Sequence, residues 1–386
     1  MYRSRLFAGL LLLLAFLAPA CKAQLGKNVM IPAGSEEDHA LTAINNTSEP
    51  DKKLELIEQF ATTHPDGDFA IVADEQFVLF YINAKQYDKA FVYGDKLFAI
   101  DPDNYSNAIN MVRAANEKAD IDRIFTYGEK ANSIVQRYKT APPPSGTPAD
   151  SWEQQRAQKL DAQKENQDYV QQSLLGAAYQ QKDPTKKAEY LQRFAKDFPD
   201  SPNSEQALTV AAFSYQQAQN HAKMLDLANS VLAKNPNSIG MLLLLADDYS
   251  EKNEQLDKAE AYAKKASGLC ETAKKPDGVS DQDWQNQVTL QKGLALSALG
   301  QVDIEKKDNA AAVKNLTAAS PFLKSNAATY ARNQYRLGFA YANLKNTPAA
   351  KQAFTEAASV DSPYKAAALG KLKDLAAEKP VHKKAS

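Results

Sequence analysis

Apolar positions along this chain recur mostly at helical spacing, in pairs of short segments. In YRLGFAYANLKNTPAAKQAFTEAASVDSP (335–363), Leu337 and Tyr341 mark one apolar face, and Ala350, Phe354 and Ala357 mark another. Thr347 and Pro348 divide the two, with Thr347 placed to cap the second helix and Pro348 at its first position. The pattern predicts helix, turn, helix. Gly338 interrupts the first of these helices, at a cost of about 1 kcal/mol relative to alanine. Its presence predicts a close approach by a neighbouring element.

The pattern repeats. FVYGDKLFAIDPDN begins at Phe91 and FTYGEKANSIVQ at Phe125, 34 residues apart. Tyr81 and Ala90 precede Pro102 as Tyr215 and Met224 precede Pro236. The prolines and the DPDN, NPNS and FPDSPNS stretches punctuate the joints. A longer period overlies the short one. KKLELIEQFATTHPD from Lys52 and KKAEYLQRFAKDFPD from Lys186 align at a separation of 134, and PSGTPADSWEQQ and PDGVSDQDWQNQ, carrying Trp152 and Trp284, at 132. An internal duplication of about four helix pairs accounts for both periods.

These residues resemble the tetratricopeptide repeat (TPR) family, whose pattern runs Leu-Gly-x2-Tyr on a first helix and Ala-x3-Phe-x2-Ala on a second. Leu337, Gly338, Tyr341, Ala350, Phe354 and Ala357 match it, with Pro363 in the closing turn. Leu175, Gly176, Tyr179, Ala188 and Ala195 match again, as do Leu299, Gly300, Ala312, Leu316 and Ala319, although Asp303 stands where tyrosine is expected. The resemblance implies an all-α, right-handed superhelical solenoid of stacked helix–turn–helix repeats. It places one block of repeats over 36–138, a Pro-rich loop and Trp-containing helix over 139–168, and a second block over 169–272. A loop and further repeats then occupy 273–363, a capping helix 364–378 and a disordered tail 379–386.

The N-terminus departs from this pattern. Arg3 and Arg5 precede an unbroken apolar run, 6–17, followed by APACKAQ, which predicts a secretory signal over 1–23. The run falls short of the roughly 20 residues of a spanning helix, and no later stretch approaches that length. The segment APAC resembles a bacterial lipobox that would place a lipid on Cys21 and tether the chain to a membrane. Ordinary cleavage after Ala20 or Ala23, giving a soluble periplasmic protein, is the other route. Either one makes the chain an exported protein of the periplasm or cell envelope, with no spanning helix when mature. Cys270, the only other cysteine, then has no partner within the chain and reads as a packing residue.

Composition excludes several functions. The chain of 386 residues is 24% charged with a formal net charge of -1, which argues against nucleic-acid binding. Four histidines are scattered without metal-ligand spacing, and neither a P-loop nor a Gly-x-Ser-x-Gly elbow occurs. SEEDH (35–39) reads as a capped, acidic first helical turn. DDYSEKNEQLD (247–257) lacks the spacing of a calcium loop and reads as a solvated face. The expectation is a non-enzyme without cofactor or metal.

The TPR resemblance implies a partner-binding groove lined by the first helix of each pair. Its groove positions fall on Arg332, Tyr335, Phe339, Ala342 and Asn343 in the last repeat. In the repeat near 205 they fall on Gln206, Thr209, Phe213, Gln216 and Gln217, and Gln180 and Gln181 lie in the repeat before it. Aromatics with amides and one arginine suit an extended peptide of another envelope protein. Phe213 and Phe339 packing between repeats is the structural alternative. A glycan-binding envelope lipoprotein is the second functional reading.

Overall fold

The computed structural model describes residues 25–275 and 279–377. The expected signal segment 1–23, with Cys21, and the tail 379–386 lie outside the described residues. Eighteen helices and no strand occur among the described residues. The chain is an all-α helical-repeat protein. Its two compact units divide between Ala177 and Ala178.

The first unit holds α1 (Glu36–Asn46), α2 (Pro50–Thr63), α3 (Asp68–Asn83), α4 (Tyr87–Ile100), α5 (Tyr105–Glu117), α6 (Ile121–Thr140), α7 (Ala149–Asp161) and most of α8 (Lys164–Gln180). The second holds α9 (Pro184–Asp197), α10 (Ser204–Gln217), α11 (His221–Lys234), α12 (Ile239–Glu251), α13 (Leu256–Thr272), α14 (Asp281–Glu305), α15 (Asn309–Leu323), α16 (Ala327–Asn343), α17 (Thr347–Ser359) and α18 (Tyr364–Ala377). Within each unit the main helix packing joins an element to the next and the next but one, as in a solenoid.

One turn recurs. At its centre a non-glycine residue takes a left-handed backbone: Lys85, Ala119, Gln219, Lys307 and Lys345, with φ of 56°, 54°, 57°, 65° and 58°. The next amide then bonds back five residues, as in Gln86 to the Tyr81 carbonyl (2.8 Å), Asn220 to Tyr215 (2.9 Å) and Asn346 to Tyr341 (2.9 Å). That next residue also starts the following helix. Asp120, Asn220, Asp308 and Asn346 each cap with a side-chain oxygen. The cap of α17 is therefore Asn346, one residue before the expected Thr347. Ser35 caps α1 by accepting from the Asp38 amide at 3.2 Å, ahead of an acidic first turn.

Close approach explains most of the helical glycines. A Cβ on Gly338 would lie 2.6 Å from Cδ1 and Cε1 of Phe354, the buried ring of α17, and Gly300 faces Leu316 in the same way. In the first unit, Gly94 gives its space to Met111 and Gly128 to Leu174, so both members of the Phe91/Phe125 period serve the next first helix. Gly176 differs, because nothing lies within 4 Å of the Cβ it would carry. Asp303 takes the place of the expected tyrosine beside Asn315, whose Nδ2 donates to it at 2.7 Å. Burial pushes the Asp303 carboxyl above its ordinary range.

The two Trp-bearing segments diverge. Trp152 sits on α7 and is buried against Tyr138, with its indole N–H donating to the Ala141 carbonyl at 3.0 Å. It thereby anchors the exit of the Pro-rich loop. Trp284 is half-buried in the first turns of α14, which runs on for 25 residues as the first helix of a repeat. Cys270 is buried, and burial raises its thiol pKa, as befits a packing residue. No helix among the described residues is long and apolar enough to cross a membrane.

Candidate functional site

The first helices of the second unit carry an apolar channel of about 410 Å³. Leu243 and Leu244 of α12 and Leu290 and Leu294 of α14 supply its aliphatic surface. Phe213 and Gln216 of α10 line it together with Thr329 and Arg332 of α16, and Tyr364 of α18 closes the set. The extra length of α14 makes this surface possible, because Leu290 lies well before the stretch of α14 that packs under Gly300. Leu290 and Leu294 are half-buried over the buried Leu243 and Leu244, a lining that favours apolar side chains as ligands over sugar rings, which need polar partners for their hydroxyls.

A charge network centred on the buried Arg336 ends the channel. Arg332 Nη1 donates to Asp247 Oδ2 at 2.6 Å, and Arg336 Nη2 to Asp247 Oδ1 at 3.0 Å. Arg336 also pairs with Glu251 and donates to the Ser297 hydroxyl at 3.1 Å. Burial alone would raise the Asp247 carboxyl, but the two guanidinium groups outweigh it and hold that carboxyl below the usual range. Its neighbour Asp248 is buried, against His221 (2.8 Å) and Lys252 (3.0 Å), while Asp247 is half-buried. The start of DDYSEKNEQLD is therefore a packed ionic seam, which corrects its reading as a solvated face. Seclusion of these charges between helices overturned the expectation drawn from composition.

Nine of the expected groove residues fall into three sets. Phe213, Gln216 and Arg332 meet at the channel, where Phe213 is 38% exposed. Tyr335 and Phe339 are half-buried. Their rings pack on Phe354 at 5.7 and 5.8 Å, Tyr335 touches Tyr364 at 5.6 Å, and Lys371 covers Phe339 at 5.1 Å. Gln180, Gln217 and Asn343 are exposed, Gln181 is half-buried, and none of the four lines the channel. Asn343 instead donates to the Asn309 side chain at 2.9 Å. Sequence reasoning missed the leucines and Asp247. Pairs of like charge four residues apart, Asp247/Glu251 and Arg332/Arg336, were the available signal.

No family model matches the chain, and no curated protein matches it. Among solved structures it is similar to the TPR domain of P58(IPK), at 11% identity over 89% of this chain and 98% of that one, with a TM-score of 0.30. It is likewise similar to yeast Tom70, at 12% identity over 88% and 94% of the two chains, with a TM-score of 0.30. Overlap at that level carries no argument. The repeat architecture rests on the recurring turns and glycine contacts described above.

Proposed function

We propose that this chain is an exported, non-catalytic scaffold of the bacterial cell envelope, built from TPR-like repeats, that holds an extended segment of a partner protein in the channel of its second unit. The observation that carries this reading is the channel itself: first helices α10, α12, α14 and α16 converge on one leucine-lined surface with amide and hydroxyl groups beside it. Apolar side chains of the segment lie against Leu243, Leu290 and Leu294, while Gln216 and Thr329 pair with its backbone. Because Arg332 is already neutralised by Asp247, binding depends little on salt.

A photo-crosslinking residue at Gln216 tests the channel in the intact chain. Adducts should form there and vanish when Leu290→Asp and Leu294→Asp are combined. A crosslinker at Gln352, exposed on the second helix α17, should give none of them. Identical adducts from both positions, or adducts indifferent to the leucine changes, would place recognition elsewhere. Intact-mass measurement tests export separately. A diacylglyceryl mass on an N-terminal Cys21 identifies a tethered form, a bare start at Cys21 or Gln24 a soluble one, and an intact Met1 chain in cytosol refutes export.

A further inference from the structure

The first unit carries a pocket of about 190 Å³ formed by α3, α4 and α5, of different chemistry from the channel. Val78, Leu79 and Leu97 supply apolar surface, and Leu79 is 43% exposed although it belongs to a helix otherwise well packed. Glu75 lies among them with its carboxylate half-buried. One of its oxygens accepts from Asn104 Nδ2 at 2.9 Å, and among the described residues no cation pairs with it. The charge it feels is a second carboxylate, Asp101, itself buried and held by the Lys27 backbone amide at 2.9 Å. Asn107 also lines the pocket. Its Nδ2 donates to the Gly94 carbonyl at 2.8 Å, which fixes the amide orientation and leaves Oδ1 without a partner in a side chain only 2% exposed.

We propose that this pocket receives the ammonium or guanidinium end of a lysine or arginine side chain from a partner segment. Acceptors without a cation call for a ligand that only donates, which an ammonium or guanidinium does. The apolar surface of Leu79 and Val78 suits the methylene stem of such a side chain. A bare metal ion fits less well. Divalent ions take several oxygen ligands, and no group of three acidic, His or Cys side chains assembles among the described residues. Burial, reinforced by Asp101 and only partly offset by Asn104, raises the Glu75 carboxyl, as expected of a carboxylate lacking its counter-ion. This site goes beyond the channel reading. It lies wholly in the first unit, and its test needs no partner protein.

The probes are n-butylammonium, 1-butanol and butyrate, titrated into the mature chain while the side-chain amides of Asn104, Asn107 and Asn110 are followed by NMR. Butylammonium should give saturable shifts at these amides, and the two other probes none. A tripeptide acetyl-Ala-Lys-Ala-amide should bind at least tenfold more tightly than its norleucine counterpart. Glu75→Gln, nearly isosteric, should abolish saturation, and Leu79→Asn, on an exposed position, should weaken it severalfold. Unchanged affinity in Glu75→Gln, or butylammonium shifts that never saturate, would overturn the proposal.

Discussion

Gly338→Ala and Gly176→Ala are the same substitution in two helix interiors, and the structure gives them opposite signs. At Gly338 the new Cβ would sit 2.6 Å from two ring carbons of Phe354 and 2.9 Å from a third. Carbon atoms settle at about 3.5–4.0 Å, so the ring must retreat by about 1 Å. It has nowhere to go. Phe354 is 1% exposed, with Tyr335 and Phe339 edge-on at 5.7 and 5.8 Å and Ala350, Ala357 and Ala368 in the same cluster. Overpacking of this kind costs about 1–3 kcal/mol, against a propensity gain of about 1 kcal/mol. The net expectation is a loss of up to about 2 kcal/mol at Gly338. At Gly176 no atom stands in the way, so the propensity gain of about 0.5–1 kcal/mol should appear alone. Because repeat arrays unfold in parts, urea titration should be paired with native-state hydrogen exchange over α16 and α17. Phe354→Leu in the Gly338→Ala background should recover part of the loss, a coupling absent at Gly176. Stabilisation by both substitutions would refute the close approach.

Three other expectations are open to measurement. Asp247 has its carboxyl lowered in the folded chain, so its contribution to stability is present above the unfolded aspartate value of about 3.9 and is lost as pH falls through the lower folded value. Acid titration of the folded chain should show that loss, and Asp247→Asn should remove it. Arg336→Met removes one of the two guanidinium partners of Asp247 and its own bond to Ser297, and should cost about 1–3 kcal/mol by chemical denaturation. Ala119→Gly and Gln219→Gly relieve left-handed backbone at two hairpin turns, and each should raise stability by up to about 1 kcal/mol in urea titrations.

The repeat framework was legible because its determinants are local. A glycine, an alanine pair and an aromatic at fixed spacing define one helix crossing, and the same small set recurs wherever that crossing does. Asn346 displaced Thr347 as the cap because the left-handed turn at Lys345 ends there, and a cap one residue early is set by backbone geometry that composition does not encode. The groove was legible only in part. Family positions name the helix face, and Phe213, Gln216 and Arg332 do lie together. Tyr335 and Phe339 instead meet α17 and α18. The face that is open at Phe213 is half covered at Tyr335 and Phe339.

The ionic seam was illegible for a different reason, and its logic is visible only in the folded chain. Asp247 and Glu251 are four residues apart on one helix, as are Arg332 and Arg336 on another. Like charges at that spacing repel on an isolated helix, by about 0.2–0.5 kcal/mol. Each row is thus unfavourable on its own and favourable only opposite the other. The partners are 85 to 89 residues apart and their helices lie two repeats apart, with α14 between them. A period near 34 aligns equivalent positions but says nothing about which side chains reach across a repeat. Arg336 does reach across, and it touches α14 at Ser297, donating to both its hydroxyl and its carbonyl on the way to Asp247. A large apolar residue at 297 would occupy that path and remove the hydroxyl acceptor. The seam therefore depends on one small polar side chain in a helix that contributes no charge to it.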